Sequence, residues 1–226
     1  MSTSDNTPPV HDIENKFQHS QAPTPIYAAP TVANPGPLGL SAFALTTFVL
    51  SLHNAGAGVP AAGPSNVVVG LAIFYGGVTQ LLAGMWEFKT GNTFGATAFS
   101  SYGGFWLSYG LIFIPGANIL TAYEGAGIPA NTLDQSLGIY LLSWAIFTGI
   151  MLIASHRSSA GLMALFFFLF LTFILLAAGK FNNSLNTQVA GGAFGVITAI
   201  IAWYNALSGL LTKDSSYFLL PTGRLA

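Results

Sequence analysis

From Asn34 onward, the chain alternates between long apolar runs and short polar breaks. A helix needs about 20 mostly apolar residues to cross a bilayer, and six runs come near that length. They are Leu38–His53, Val67–Trp86, Phe94–Ile114, Leu137–Ala154, Gly161–Ala178 and Val189–Leu211. Strands of an outer-membrane barrel would alternate apolar and polar residues, and these runs do not. The pattern predicts an all-α membrane protein with six transmembrane helices in residues 34–212.

Polar segments flank the six runs. Residues 1–33 hold five prolines and no apolar run, which predicts a disordered tail because the segment cannot bury enough surface to fold. Residues 213–226 form a second, short tail. The side of the membrane that holds both termini receives five of the six Lys and Arg residues, namely Lys16, Lys89, Arg157, Lys213 and Arg224. The positive-inside rule therefore predicts that both tails are cytoplasmic.

Composition narrows the classes of function. The chain is 52% hydrophobic and 6% charged, whereas about a quarter of a soluble domain is charged. A net charge of −1 excludes a basic nucleic-acid binder. The lack of cysteine excludes a disulfide framework, a zinc ribbon and a cysteine nucleophile. We see no metal-ligand cluster and no nucleophile–base pair in the sequence, so we expect no enzyme, no cofactor and no metal site.

Charged residues avoid the middle of every run. Glu87 lies at the predicted inner end of the second helix, and His53 lies at the predicted outer end of the first. Since intramembrane charges are costly and are retained for function, their absence predicts a pathway without a fixed central charge. Uncharged polar residues are the remaining candidates to line it: Thr46, Gln80, Ser101 and Asn205. The two amides are the stronger candidates because an amide in lipid must find a partner.

The first helix is preceded by an unusual segment, Asn34-Pro35-Gly36-Pro37-Leu38-Gly39-Leu40. Pro37 suits the first helical turn, where its missing N–H costs nothing. The N-terminus of a helix offers unpaired N–H groups and a partial positive charge, which can bind a carboxylate inside a membrane. We therefore hypothesise that Asn34, Pro35 and Pro37 belong to a substrate pathway. A capped helix end at the membrane interface explains the same residues equally well.

This segment, followed by Phe43, resembles the signature of the acetate uptake transporter family. The family includes the bacterial succinate–acetate permeases and fungal proteins linked to acetate and ammonia export. Further blocks are similar to family blocks in family order: Leu52-His53-Asn54, Phe74-Tyr75-Gly76-Gly77, residues 87–95 and residues 97–106. Gly36 departs mildly from the family's usual residue. The resemblance covers Asn34 to about Leu220, and the long polar N-terminal segment resembles the fungal branch.

The resemblance implies a homo-hexamer of six-helix protomers in the plasma membrane. Each protomer would pass acetate and related short monocarboxylates, and in some members succinate. The resemblance also implies a narrow gate formed by Phe43, Tyr102 and Leu169, with Ala202 beside the path and Leu165 as an alternative gate leucine. We expect the Tyr102 hydroxyl to donate a hydrogen bond to a passing carboxylate. Anion-channel passage and proton-coupled uptake both stay open.

Other functions fit the sequence less well. An aquaporin needs a second Asn-Pro half-helix motif, and only Asn34-Pro35 is present. An ammonia channel of the usual type needs paired core histidines, whereas His53 and His156 lie at opposite ends of the predicted spans. Ammonia or ammonium export is therefore the alternative transport function. A membrane sensor or structural protein that has kept the fold and lost transport is the third possibility.

Overall fold

A computed structural model describes residues 32–223 and 225. The predicted N-terminal tail lies outside the described residues, apart from Val32 and Ala33. The described part of the chain forms long helices joined by turns. They are α1 (Gly36–Ala55), α2 (Val68–Thr90), α3 (Thr93–Ile112), α4 (Thr132–Ala154), α5 (Ala160–Phe181) and α6 (Leu185–Leu210). Two short 3-10 helices, Pro115–Ala117 and Thr121–Tyr123, lie between α3 and α4.

Each long helix corresponds to one of the predicted apolar runs, and its ends differ from those of the run by at most about five residues. The ends follow local side-chain chemistry. The Asn92 and Ser159 side chains accept hydrogen bonds from the N–H groups of Gly95 (3.0 Å) and Leu162 (3.2 Å), which caps α3 and α5. α2 ends at Gly91, whose φ of 79° is left-handed and favours glycine.

Five of the helices, α1, α2, α4, α5 and α6, combine the length and the hydropathy of membrane spans. α3 has a comparable length of 20 residues, but its glycine, serine and threonine residues make it less apolar. The same helix carries much of the buried interior, including Tyr102, Phe105 and Trp106. Its low hydropathy therefore accompanies a packed position within the protein.

The helices form a closed ring. α4 packs on α5, α5 on α6, α6 on α1, α1 on α2, and α2 on α3. α3 and α4 complete the ring mainly through aromatic side chains, with the Tyr102 ring 6.0 Å from that of Trp144 and 5.5 Å from that of Phe147 between centroids.

A π-helical stretch, Phe74–Thr79, interrupts α2. Within it, Gly76 lies so close to α1 and α3 that a Cβ there would come within 2.8 Å of Trp106 and 2.9 Å of the Thr46 Cβ. A π turn holds one extra residue, which rotates the following helix by about 100°. Gln80 is the first residue after this stretch, and its side chain is buried inside the ring.

The segment after α6 returns to the first turn of α5. The N–H groups of Ala160 and Gly161 donate to the carbonyls of Gly223 (2.7 Å) and Thr222 (3.1 Å). The Tyr204 hydroxyl donates to the Pro221 carbonyl (2.7 Å). These bonds satisfy N–H groups that a helix N-terminus would otherwise leave without an intrahelical partner.

Candidate functional site

Two cavities enter the ring from opposite ends. One, of about 400 Å³, is lined by His53 at the end of α1, Lys180 near the end of α5 and Gln188 in the first turn of α6. We call it the His53-side cavity. The other, of about 160 Å³, is lined by Asn34 and Glu87, among others, and we call it the Asn34-side cavity. The ring therefore encloses space on both sides of its middle.

The two cavities meet at Phe43 and Leu169, because these two side chains line both. Tyr102 lines the Asn34-side cavity beside them, and its ring centroid lies 5.8 Å from that of Phe43. All three side chains are almost fully buried, with exposed fractions of 2–4%. Leu165 lines only the Asn34-side cavity. The three residues indicated by the resemblance thus come together from α1, α3 and α5 at one junction.

The Tyr102 hydroxyl is engaged inside the protein. It lies 2.9 Å from the Thr148 hydroxyl oxygen. Thr148 donates its single proton to the Trp144 carbonyl (2.7 Å), so it can only accept from Tyr102. Since a phenol has one O–H to donate, Tyr102 has none left for a solute in this arrangement. Its donation to a passing carboxylate would require this bond to break, and it stays a prediction.

Gln80 and Asn34, both predicted pathway residues, line the Asn34-side cavity. The Gln80 side chain is 1% exposed, and its Oε1 has no hydrogen-bond partner among the described residues. A buried amide without a partner is costly, and a solute in the cavity could supply the missing hydrogen bond. The π-helical stretch that precedes Gln80 accounts for this placement.

Several other predicted pathway residues line neither cavity. They are Pro35, Pro37, Thr46, Ser101, Ala202 and Asn205. Thr46 donates to the Ala42 carbonyl of its own helix (2.9 Å), and Asn205 donates to the Ile201 carbonyl (2.9 Å). Such bonds to the previous turn are the usual role of polar groups in membrane helices. Ala202 packs within the buried cluster that includes Phe43 and Leu169, without reaching the cavities.

The N-terminus of α1 offers fewer free donors than the sequence predicts. Pro35 and Pro37 have no N–H. The Gly36 N–H already donates to the Asn34 side-chain oxygen (2.9 Å). A solute carboxylate would therefore meet a helix end whose N–H groups are mostly absent or used, and the hypothesis of a carboxylate site built from several free N–H groups does not fit this helix end.

A carboxylate of the protein itself lies beside this helix end. Glu87 is 3% exposed and lines the Asn34-side cavity. Its Oε2 accepts hydrogen bonds from the Asn92 amide (2.8 Å) and the Thr90 hydroxyl (3.3 Å). Its Oε1 lies 3.5 Å from the position that a Cβ on Gly36 would take, and its carboxyl carbon lies 3.0 Å from the corresponding position on Gly95. Glu87 is therefore held between the first turns of α1 and α3.

Glu87 changes the electrostatic description of the pathway. Within residues 32–223, the one ion pair is Lys180–Asp134 (2.8 Å), which lines the other cavity. Among residues 32–223, the positive ends of two helices face the Glu87 carboxylate, and no cationic side chain pairs with it. The expectation of a pathway without a fixed central charge stays a prediction, and Glu87 adds a charge at this end of the pathway. Hydropathy placed Glu87 at the end of a run, and the burial arises only when α1 and α3 approach it.

The sequence also did not single out two polar residues of the His53-side cavity. Thr47 and Trp106 line this cavity, and their hydroxyl oxygen and indole nitrogen are buried without a partner among the described residues. Trp106 follows Tyr102 by one helical turn and so shares its face of α3. That spacing was visible in the sequence, but aromatic residues at helical spacing more often mark packing than a pathway.

Comparison with known proteins extends these observations. A model of the GPR1/FUN34/yaaH family matches residues 16–226. Ammonia transport outward protein 2 of Saccharomyces cerevisiae is 49% identical over 202 residues, which cover 88% of this chain and 68% of the relative. Acetate permease A of Emericella nidulans is 49% identical over 196 residues, which cover 84% of this chain and 65% of the relative.

A solved structure, described as that of the bacterial acetate channel SatP, has the same fold. It superimposes with a TM-score of 0.73 and 36% sequence identity, and the match covers 85% of this chain and 100% of that chain. The present chain spans about two thirds of the length of the two fungal relatives. Because the family model matches nearly the whole chain and the helices have the lengths and hydropathy of membrane spans, this multi-pass membrane protein belongs to the GPR1/FUN34/yaaH family.

Proposed function

We propose that the protein passes acetate and related short monocarboxylates across a membrane, through the two cavities of each protomer. The observation that carries this proposal is the meeting of the two cavities at Phe43 and Leu169. A pathway with one narrow apolar junction selects by size, since a wider solute must displace packed side chains. The names of the relatives, an acetate permease and an acetate channel, support the same class of solute.

The junction between the two cavities is closed in this structure. Phe43, Tyr102 and Leu169 are almost fully buried, and apolar constrictions exclude water when they are this narrow. Passage therefore requires these side chains to move apart, and we propose that they form the gate. Asn34 and Gln80 are the polar groups we assign to the Asn34 side of the pathway.

We also propose the arrangement in the membrane. All six long helices cross the bilayer, α3 included, and both termini face the cytoplasm, so that the Asn34-side cavity opens inward. Large apolar side chains on the outside of the ring, such as Phe74, Ile139 and Ile153, are 62–74% exposed. Lipid and neighbouring protomers of a hexamer in the plasma membrane would cover them.

Uptake of labelled acetate tests the proposal in cells that lack other acetate carriers. We expect the wild-type protein to raise uptake above that of cells carrying an empty vector. Leu169→Trp fills the junction and should abolish the gain. Leu142→Trp, on the exposed surface of α4, adds the same side chain away from both cavities, and acetate uptake should stay at the wild-type level. Wild-type protein at the cell surface with no gain in uptake would reject transport and favour a sensor or structural role.

Ammonium export is the second candidate function. The Glu87 carboxylate in the Asn34-side cavity suits a cation, and one relative is named for outward transport of ammonia. The two functions are separated by measuring ammonium release and acetate uptake in the same cells. Release that depends on the protein, without acetate uptake, would establish the second candidate in place of the first.

A further inference from the structure

We propose that Glu87 is a specificity-determining residue that filters solutes by charge at the Asn34 side of the pathway. Its carboxylate leaves neutral acids unhindered, makes passage harder for monocarboxylate anions and makes it hardest for dicarboxylates. The inference rests on the proposed function, because it concerns solutes that use the same pathway. It identifies the preferred class as monovalent or neutral and disfavours succinate and other dianions.

The position of the carboxylate is fixed. The Asn92 amide donates to it at 2.8 Å, and the Asn92 side-chain oxygen in turn accepts the Gly95 N–H at 3.0 Å. Asn92 is thus a bridge between the N-terminus of α3 and Glu87. The Thr90 hydroxyl adds a weaker contact at 3.3 Å. A side chain held at its head group by two donors acts as a standing charge in the cavity wall.

No cationic side chain of residues 32–223 forms an ion pair with this charge. Glu87 is the one acidic side chain that lines the Asn34-side cavity, and Lys, Arg and His are all absent from that lining in the described part of the chain. The cavity is small, about 160 Å³, so any solute inside it remains within the ~8 Å over which charges interact at physiological salt. In the His53-side cavity, Lys180 and Asp134 form an ion pair. The acidic charge without an ion-pair partner among the described residues therefore lies on the Asn34 side.

The size of the effect follows from Coulomb's law. At a separation of ~8 Å and an effective dielectric constant of ~20, each unit of negative charge on the solute reduces occupancy by roughly thirtyfold without salt and roughly fourfold with full screening at physiological salt, so about tenfold is the central value. A dianion bears this penalty twice and a monoanion once. Removing the charge should therefore raise the ratio of succinate to acetate flux by about tenfold, even though both fluxes increase.

The experiment measures the initial rates of uptake of labelled acetate and labelled succinate into liposomes that contain the full-length protein. The pH is about 7.5, where both carboxyl groups of succinate are ionised. Glu87→Gln keeps the shape and the acceptor for Asn92, and should raise the succinate-to-acetate ratio about tenfold. Asn34→Asp adds a charge at the exposed mouth of the same cavity and should lower the ratio. Glu124→Gln removes a carboxylate from an exposed loop outside both cavities and should leave the ratio unchanged.

The outcomes separate this inference from the proposed function. If wild-type protein passes acetate and the ratio stays at its wild-type value in Glu87→Gln, the charge filter is wrong. If Glu87→Gln fails to fold, Asn34→Asp becomes the deciding variant. An unchanged succinate-to-acetate ratio in Asn34→Asp would then overturn the inference. Wild-type protein that passes no acetate would overturn the proposed function itself, and this inference with it.

Discussion

The hydrogen bond between Tyr102 and Thr148 gives the sharpest test of the gate. It joins α3 to α4, as the hydrogen bonds of the Tyr140 hydroxyl with Ser108 and the Phe105 carbonyl also do. Both side chains of the Tyr102–Thr148 pair are at most 2% exposed. Thr148→Val removes the acceptor while keeping the shape of the side chain. The Tyr102 O–H then points into a buried space without a partner, which is destabilising, and its ring loses the contact that fixes it at the junction.

The magnitude can be worked out from comparable bonds. Hydrogen bonds between membrane helices average about 0.6 kcal/mol in double-mutant cycles and reach about 1.7 kcal/mol. At 2.9 Å and nearly complete burial, this bond belongs to the upper part of that range, about 1–1.7 kcal/mol, or roughly a five- to fifteenfold change in an equilibrium constant. Tyr102→Phe should cost less, because Thr148 keeps its proton on the Trp144 carbonyl.

The assay is a double-mutant cycle. Thermal unfolding of the purified protein is compared for wild type, Thr148→Val, Tyr102→Phe and the double variant, together with the lactate-to-acetate ratio in competitive uptake. We expect the double variant to be about 1–1.7 kcal/mol more stable than the sum of the single effects predicts. Thr148→Ser keeps the hydroxyl and should keep the wild-type ratio, whereas Thr148→Val should raise it. A coupling below about 0.3 kcal/mol with an unchanged ratio would refute the idea that Thr148 positions Tyr102.

Three further predictions concern size, stability and the N-terminal tail. Leu169→Ala should widen the junction and raise the lactate-to-acetate uptake ratio. Ala202→Gly should raise this ratio more weakly, by loosening the buried cluster behind Leu169. Ratios at the wild-type value in both variants would remove Leu169 from the gate. Asn92→Ala should lower the free energy of unfolding by about 1 kcal/mol, because α3 loses its cap. Thermal unfolding measures the change, and the control variant Ser2→Ala should unfold like wild type. Deletion of Ser2–Tyr27 should leave acetate uptake intact, and a truncated protein that reaches the membrane but is inactive would contradict this.

The positions of the helices could be predicted closely from the sequence. Hydropathy locates a helix because each apolar run must satisfy its backbone internally in lipid, and local caps such as Asn92 and Ser159 fix the ends. Hydropathy succeeded less well with α3, since a helix rich in glycine and serine resembles a weak span until its neighbours are known. The resemblance to a family, rather than the periodicity, indicated Phe43, Tyr102 and Leu169.

Contacts between residues distant in sequence could not be predicted in the same way. A threonine in a membrane helix commonly donates to the carbonyl four residues earlier, as Thr148 does to Trp144. Nothing local indicates that it also receives the proton of Tyr102, which is 46 residues away. Glu87 was assigned to a helix end by hydropathy, which is correct along the chain. Its burial follows from the approach of two other helix ends, which is a property of the packed ring.

The hydrogen bonds from Ala160 and Gly161 to the carbonyls of Gly223 and Thr222 have a consequence for synthesis of the protein. The ribosome makes these acceptors only after α6, so α5 enters the membrane with two backbone donors of its first turn still waiting for the partners that the finished fold provides. α5 also carries Leu169, so the helix that holds this junction residue gains the last hydrogen bonds of its first turn only after translation has passed α6. A nascent chain that stops after α6 leaves the N–H groups of Ala160 and Gly161 without these acceptors, so the start of α5 is held less firmly until the last residues have been made.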